Sequence, residues 1–153
     1  MLEPAPARQL EVLVAEDNEF DTHVTVAAFR DARVPSRLHC VPDGEAAIAF
    51  LKRTGEHSQA PRPDLILLDL NLPKKGGLEV LEEIKADPNL KNIPVVIVSG
   101  NIRDGDIRRA YELQVSSFLM KPLEVDEYFA AIRSLKELWF HAASPAPKPD
   151  SSG

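Results

Sequence analysis

The chain has 153 residues, enough for one domain with a full core and no covalent staples. A formal net charge of −6 argues against direct nucleic-acid binding, which needs a basic face, and a single cysteine, Cys40, excludes an internal disulfide framework. No apolar run approaches a membrane span, and the opening Met-Leu-Glu-Pro-Ala-Pro lacks the layout of a secretion signal, so a cytoplasmic protein with no membrane role is expected.

Residues 1–9 read as a flexible lead-in. Leu10 to Ala15 is an apolar strand that ends in Glu16-Asp17-Asn18. Asn18 can cap the next helix, and Asp21 is favourable in its first turn. Phe20, Val24, Ala27 and Ala28 share one face of that helix, which is expected to run to about Ala32. Pro35 breaks it, and 37–41 is a short second strand in which Cys40 reads as a small core residue. Asp43 caps a second helix whose buried stripe is Ala46, Ala47, Phe50 and Leu51, ending at Gly55. The stretch 56–63 has two prolines and no periodicity, so it is a surface loop.

Leu65 to Leu68 is a short apolar run of the kind buried on both faces of a sheet. It stops abruptly in Asp69, with Asn71 and Pro73 opening a loop. Gly76-Gly77 leads into a third helix with Leu78, Leu81 and Ile84 on one face. A fourth strand is expected at 94–98, ending in Ser99-Gly100-Asn101, and a fourth helix at 103–113. A fifth strand is expected at 115–119, ending in Met120-Lys121-Pro122. From Glu124 to about Phe140 the spacing is helical through Val125, Tyr128, Ile132, Leu135 and Trp139. That helix carries more apolar residues than one buried face needs, so Tyr128, Leu135 and Trp139 are candidates for an interface between two copies of the chain. Composition predicts a disordered tail over 143–153. Five strands alternating with five helices require parallel crossovers, so the expected fold is a five-stranded parallel sheet with helices on both faces, occupying 10–142.

In such a sheet the strand ends share one edge, where ligands bind. Glu16, Asp17, Asp69, Ser99 and Lys121 therefore converge on a pocket of three acids, one hydroxyl and one ammonium. Three close carboxylates need compensation, and an all-oxygen set with open positions favours Mg²⁺. A carboxylate can be the nucleophile that holds an aspartyl phosphate, with Ser99 and Lys121 stabilising the transferring group. The four histidines, His23, His39, His57 and His141, show no ligand spacing.

Over roughly 10–140 the chain resembles the receiver domains of two-component response regulators. The resemblance rests on Glu16-Asp17, the Asp69-Leu-Asn-Leu-Pro73 block, Ser99 thirty residues after Asp69, and Lys121-Pro122 twenty-two residues further on. It implies a flavodoxin-like (βα)5 fold with strand order 2-1-3-4-5. It implies Asp69 as phosphoacceptor, Asp17 and Glu16 as Mg²⁺ ligands with Asp69 and the Asn71 backbone carbonyl, and Ser99 and Lys121 as phosphoryl-sensing groups. It further implies Phe118 as the aromatic switch, a cis bond before Pro122, and a sensor histidine kinase as partner in a phosphorelay. The 56–63 loop and Lys74-Lys75 are similar to single-domain regulators that partner phytochrome-type kinases. Phe118 stands where tyrosine is commoner, and Gly76 stands where Asp or Ser often caps the third helix. No output domain is expected after residue 140, so the protein would act by protein contacts, promoting only its own phosphorylation and dephosphorylation rather than turning over a substrate. Two competing readings are a pseudo-receiver that only binds partners and an aspartyl-phosphate hydrolase. The intact acid set opposes the first, and Asn71, at the position of the second's general acid, opposes the other. A nucleotide- or flavin-binding domain lacks its phosphate loop after the first strand.

Overall fold

The computed structural model describes residues 9–100, 103–121 and 124–135. Most of the expected lead-in, the tail 143–153, Pro122 and Trp139 lie outside these residues. Five parallel strands form one sheet: β1 (Leu10–Ala15), β2 (Ser36–Val41), β3 (Leu65–Leu68), β4 (Val95–Ser99) and β5 (Ser117–Met120), in the order β2-β1-β3-β4-β5. The helices are α1 (Glu19–Asp31), α2 (Gly44–Lys52), α3 (Gly77–Ala86), α4 (Asp104–Glu112) and α5 (Val125–Ser134), with a short 3-10 turn at Gly55–His57 that overlaps the start of the expected loop.

Strand alternation splits the core into two layers. Leu10, Val12 and Val14 of β1, with Leu65 and Leu67 of β3, face α1 and α5, where they meet Ala28, Phe29 and Ile132. Leu13, Ala15, Ile66 and Leu68 face the other way, onto Ala47, Phe50, Val80, Leu81 and Ile84 of α2 and α3. All four residues of β3 are buried, as a central strand covered on both faces requires.

Four expectations need correction. Phe20 is 66% exposed, and the buried stripe of α1 is Thr25, Ala28 and Phe29. Phe20 sits in the first turn, level with the loops beyond the strand ends, where there is no sheet to cover. Cys40 is exposed, because β2 is an edge strand and its outer positions lack a covering helix. β5 starts at Ser117, not 115: the Val115 N–H bonds the Ala110 carbonyl at 3.4 Å and belongs to the turn that ends α4. Tyr128 and Leu135 do not form an open apolar face. Both pack into the α1–α5 layer, Tyr128 buried and Leu135 partly so. The Tyr128 hydroxyl lies 2.6 Å from Thr25 Oγ1, so a polar group that would be awkward in an apolar interface is satisfied internally.

Candidate functional site

The site lies at the carboxyl edge of the sheet, in a cleft of 340 Å³ lined by Glu16, Asp17, Asn18, Asp21, Asp69, Asn71, Gly100 and Lys121. Glu16, Asp17, Asp69, Ser99 and Lys121 arrive because strands of the sheet end beneath them. β1 delivers Glu16 and Asp17, β3 delivers Asp69, β4 ends on Ser99, and β5 stops one residue before Lys121. The parallel ladder fixes their level, with the Asp69 N–H bonded to the Ala15 carbonyl at 3.1 Å and the Lys121 N–H to the Ser99 carbonyl at 2.8 Å.

Asp69 is buried, and each of its carboxylate oxygens has partners. Oδ1 accepts from the Ser99 hydroxyl at 2.7 Å and the Asn71 backbone N–H at 2.8 Å. Oδ2 accepts from Lys121 Nζ at 3.2 Å. Ser99 is fully buried. Its oxygen also accepts from the Leu70 N–H at 3.2 Å and from Asn71 Nδ2 at 3.3 Å, and Asn71 Nδ2 donates to the Gly100 carbonyl at 2.6 Å. The Asn71 side chain thereby ties the loop after β3 to the end of β4.

Two glycines let that loop sit where it does. A Cβ at Gly77 would lie 2.2 Å from the Asp69 carbonyl oxygen, and one at Gly44 would lie 1.8 Å from the Lys75 carbonyl oxygen. The N-terminus of α3 therefore packs directly on the backbone that carries Asp69, and that of α2 on the loop that follows it. Gly76 gives α3 no side-chain cap, as expected; Glu79 Oε1 instead accepts the Gly76 N–H at 3.1 Å, which is half of a capping box. Lys74 pairs with Asp43 at 3.5 Å, and Lys75 pairs with Glu83, so both lysines are engaged within the chain.

Electrostatics dominate the cleft. Lys121 Nζ donates to Glu16 Oε1 at 2.6 Å, Asp21 Oδ2 at 2.8 Å and Asp69 Oδ2 at 3.2 Å. Burial works against its charge, but the bonds to Asp21 and Glu16 and the nearby carboxylates outweigh it and hold Lys121 well above the ordinary lysine range. Burial pushes the Glu16 carboxyl up; its bonds from Lys121 and the Asn18 N–H offset this only in part, and the Asp69 charge adds to the rise. Glu16, Asp17 and Asp69 offer carboxylate oxygens that all lie within 4.8 Å of one another. Hard oxygen donors at that spacing, with too little positive charge nearby, fit a divalent cation such as Mg²⁺ or Mn²⁺.

The structure thus brings together Glu16, Asp17, Asp69, Asn71, Ser99 and Lys121. Phe118 lies apart, partly buried against the α3–α4 side and stacked on Tyr111, with ring centroids 6.2 Å apart. Asp21 was missed as a site residue. Its place in the first turn of α1 was legible, but its contact with Lys121, a hundred residues away, was not.

A family model for the response regulator receiver domain matches residues 12–133. The chain belongs to that family. It is a receiver domain of two-component signalling. The response regulator Rcp1 of Synechocystis is 38% identical over 133 residues, covering 87% of this chain and 90% of that one. The structure of the phosphorylated cyanobacterial phytochrome response regulator RcpA is 41% identical with a TM-score of 0.82, covering 92% of this chain and all of that one. The Mn²⁺-bound form of Rcp1 is 37% identical with a TM-score of 0.80, covering 90% of this chain and 97% of that chain. Receiver domains bind divalent metal, and the acid cluster of this receiver fits one. Among the described residues, no helix is long and apolar enough to cross a membrane.

Proposed function

We propose that this receiver is a phosphoacceptor switch in which Asp69 takes a phosphoryl group from a sensor histidine kinase. The carrying observation is the arrangement around Asp69: a buried carboxylate with a hydroxyl and an ammonium already on its two oxygens, beside an acid cluster open to the cleft. A carboxylate oxygen of Asp69 attacks phosphorus. The new O–P bond forms as the N–P bond of the phosphohistidine breaks, and the imidazole leaves with a proton from solvent. Glu16, Asp17, Asp69 and the Asn71 carbonyl would hold Mg²⁺, which supplies charge neutralisation for the incoming group. Ser99 is placed to turn its hydroxyl proton from Asp69 toward a phosphoryl oxygen, and Lys121 to donate to another.

The phosphoryl group adds about −1.5 to −2 charge and new acceptor oxygens, which would bias a two-state surface around α4, β5 and Phe118. The protein is then a substrate and switch, not a turnover enzyme. RcpA is a phytochrome response regulator by name, which supports a phytochrome-type kinase as partner. A homodimer would use the exposed Tyr111, Met120 and Val125 of α4, β5 and α5 rather than Tyr128 and Leu135; sedimentation of the phosphorylated and unphosphorylated forms tests it.

Intact mass after incubation with acetyl phosphate and Mg²⁺ tests the main reading. One added phosphoryl group is expected, absent with EDTA and in Asp69→Asn. A wild-type protein that binds Mg²⁺ yet gains no mass, from acetyl phosphate or from any histidine kinase, would refute it.

A further inference from the structure

The lysine ammonium has three hydrogens, and Lys121 commits one to each of three carboxylates. To bind a phosphoryl oxygen it must release one of them. The Asp69 contact is the longest, and a phosphoryl group carried by Asp69 would keep Lys121 at that residue, so the bond released is one of the other two. Of the other two acceptors, the Glu16 side chain is 7% exposed and that of Asp21 is 29% exposed. Returning Asp21 to water costs less than stranding Glu16, which burial already disfavours as an anion. Asp21 is therefore the bond that gives way.

Asp21 is held for this task with unusual economy. It stands three residues after the cap Asn18, the position from which a capping-box acid reaches back to the cap's N–H. Here that N–H is taken by Glu16 Oε2 at 3.0 Å, which leaves the Asp21 carboxylate free to turn to Lys121. Its own backbone is fixed at both ends. Its N–H donates to Asn18 Oδ1 at 2.9 Å, and its carbonyl accepts from the Thr25 hydroxyl at 2.9 Å. Thr25 is buried and tied in turn to Tyr128 of α5.

We propose that Asp21 is a positioning residue that holds Lys121 in reserve, drawn partly away from Asp69, and so sets how readily the site takes up a phosphoryl group. The inference rests on the phosphoacceptor reading above. Removing the Asp21 charge hands Lys121 to Asp69 and leaves less negative charge beside the incoming group.

The test compares wild type, Asp21→Asn and Glu19→Gln, the last removing an exposed acid from the same turn as a control for the general field. In metal-free protein labelled with ¹⁵Nζ-lysine, NMR reads hydrogen exchange of the Lys121 ammonium. It is expected to be roughly fivefold faster in Asp21→Asn and unchanged in Glu19→Gln, the scale of losing one partly exposed ion pair. At subsaturating acetyl phosphate with Mg²⁺, phosphorylation of Asp21→Asn is expected to be about fivefold faster than wild type, with Glu19→Gln within about twofold. Unchanged exchange in Asp21→Asn, or equal acceleration in Glu19→Gln, overturns the inference while the phosphoacceptor reading stands. A wild-type protein that takes up no phosphoryl group overturns both.

Discussion

Gly77→Ala couples the fold to the site through a single methyl group. The added Cβ would stand 2.2 Å from the Asp69 carbonyl oxygen and 2.5 Å from the Leu70 Cα, against a floor of 3.0 Å for real contacts. The backbone of α3 and of the loop must separate by about 0.8 Å, and both contacts are main chain, which cannot swing aside as a side chain can. Overpacking of this kind costs roughly 1–3 kcal/mol, from which at most about 1 kcal/mol returns as the helix preference of alanine over glycine. A net loss of roughly 1–2 kcal/mol is expected in urea unfolding of the metal-free protein. Gly105→Ala is the matched comparison: its Cβ meets nothing within 4 Å, and it lies inside α4, so a gain of about 0.5–1 kcal/mol is expected. Because the displaced atoms adjoin the Asp69 carboxylate, Gly77→Ala should also slow acetyl-phosphate uptake by tenfold or more, while Gly105→Ala leaves it unchanged. Stabilisation by both substitutions, or full phosphorylation of Gly77→Ala, would refute the claim that close backbone approach at Gly77 positions Asp69.

Ser99→Ala strands the Leu70 N–H, whose acceptor is the Ser99 oxygen, so a loss of roughly 1–3 kcal/mol is expected in urea melts, with Ser99→Thr close to wild type. Thr25→Val, Tyr128→Phe and the double variant form a cycle across the α1–α5 layer; a coupling of about 1 kcal/mol is expected, and additivity would mean the 2.6 Å contact contributes nothing. Asp17→Asn removes one of three acids whose oxygens lie within 4.8 Å of one another; it should raise metal-free stability by about 1 kcal/mol and abolish Mg²⁺ binding by calorimetry. Burial pushes the Glu11 carboxyl up, but the Arg37 and His39 bonds outweigh it and hold its pKa below 4.5. A depressed pKa gives stability that is present above 4.5 and lost as pH falls through the folded value; Glu11→Gln should therefore flatten the acid side of the stability profile below that pH and leave the neutral plateau's shape unchanged.

Where sequence pattern and fold coincide, a local rule and the tertiary structure agree. Leu65 to Leu68 is apolar at every position because β3 is central, and an acid directly after it has few uses other than chemistry. Asn18 and Asp43 cap α1 and α2 as their residue types predict, each accepting an N–H from three residues on. The failures are places where a distant group decides. Val115 has a strand residue's side chain, but its N–H is drawn into the turn closing α4. Cys40 is apolar enough for a core, yet edge or centre depends on strand order, which hydropathy does not encode. Tyr128 reads as surplus apolar area on the last helix, because helical spacing does not show that Thr25 of α1 partners its hydroxyl. The same separation hid Asp21: its role depends on Glu16 taking the cap N–H and on Lys121 arriving from β5.

The resting charge of the site argues for an order of events. Among the described residues that line the cleft, Glu16, Asp17, Asp21 and Asp69 face a single ammonium, Lys121, so the bare cleft carries a large negative excess. Phosphorylation replaces one carboxylate charge by a phosphoryl group of about −2, which deepens that excess. A dianionic group brought to the bare cleft would be repelled by several charges at once, in a place where burial already penalises Glu16. A bound divalent cation removes most of the excess and leaves Lys121 free to follow the new oxygens. The exchange of Lys121 from Asp21 to the phosphoryl group then costs little, because one charge-assisted bond replaces another and the released carboxylate is the one nearest water. On this ordering, phosphoryl uptake should depend on Mg²⁺ concentration up to saturation of the cleft and not beyond it. In Asp17→Asn it should collapse even with Asp69, Ser99 and Lys121 intact; uptake by that variant at the wild-type rate without divalent metal would show that the acid cluster is not what governs the chemistry at Asp69.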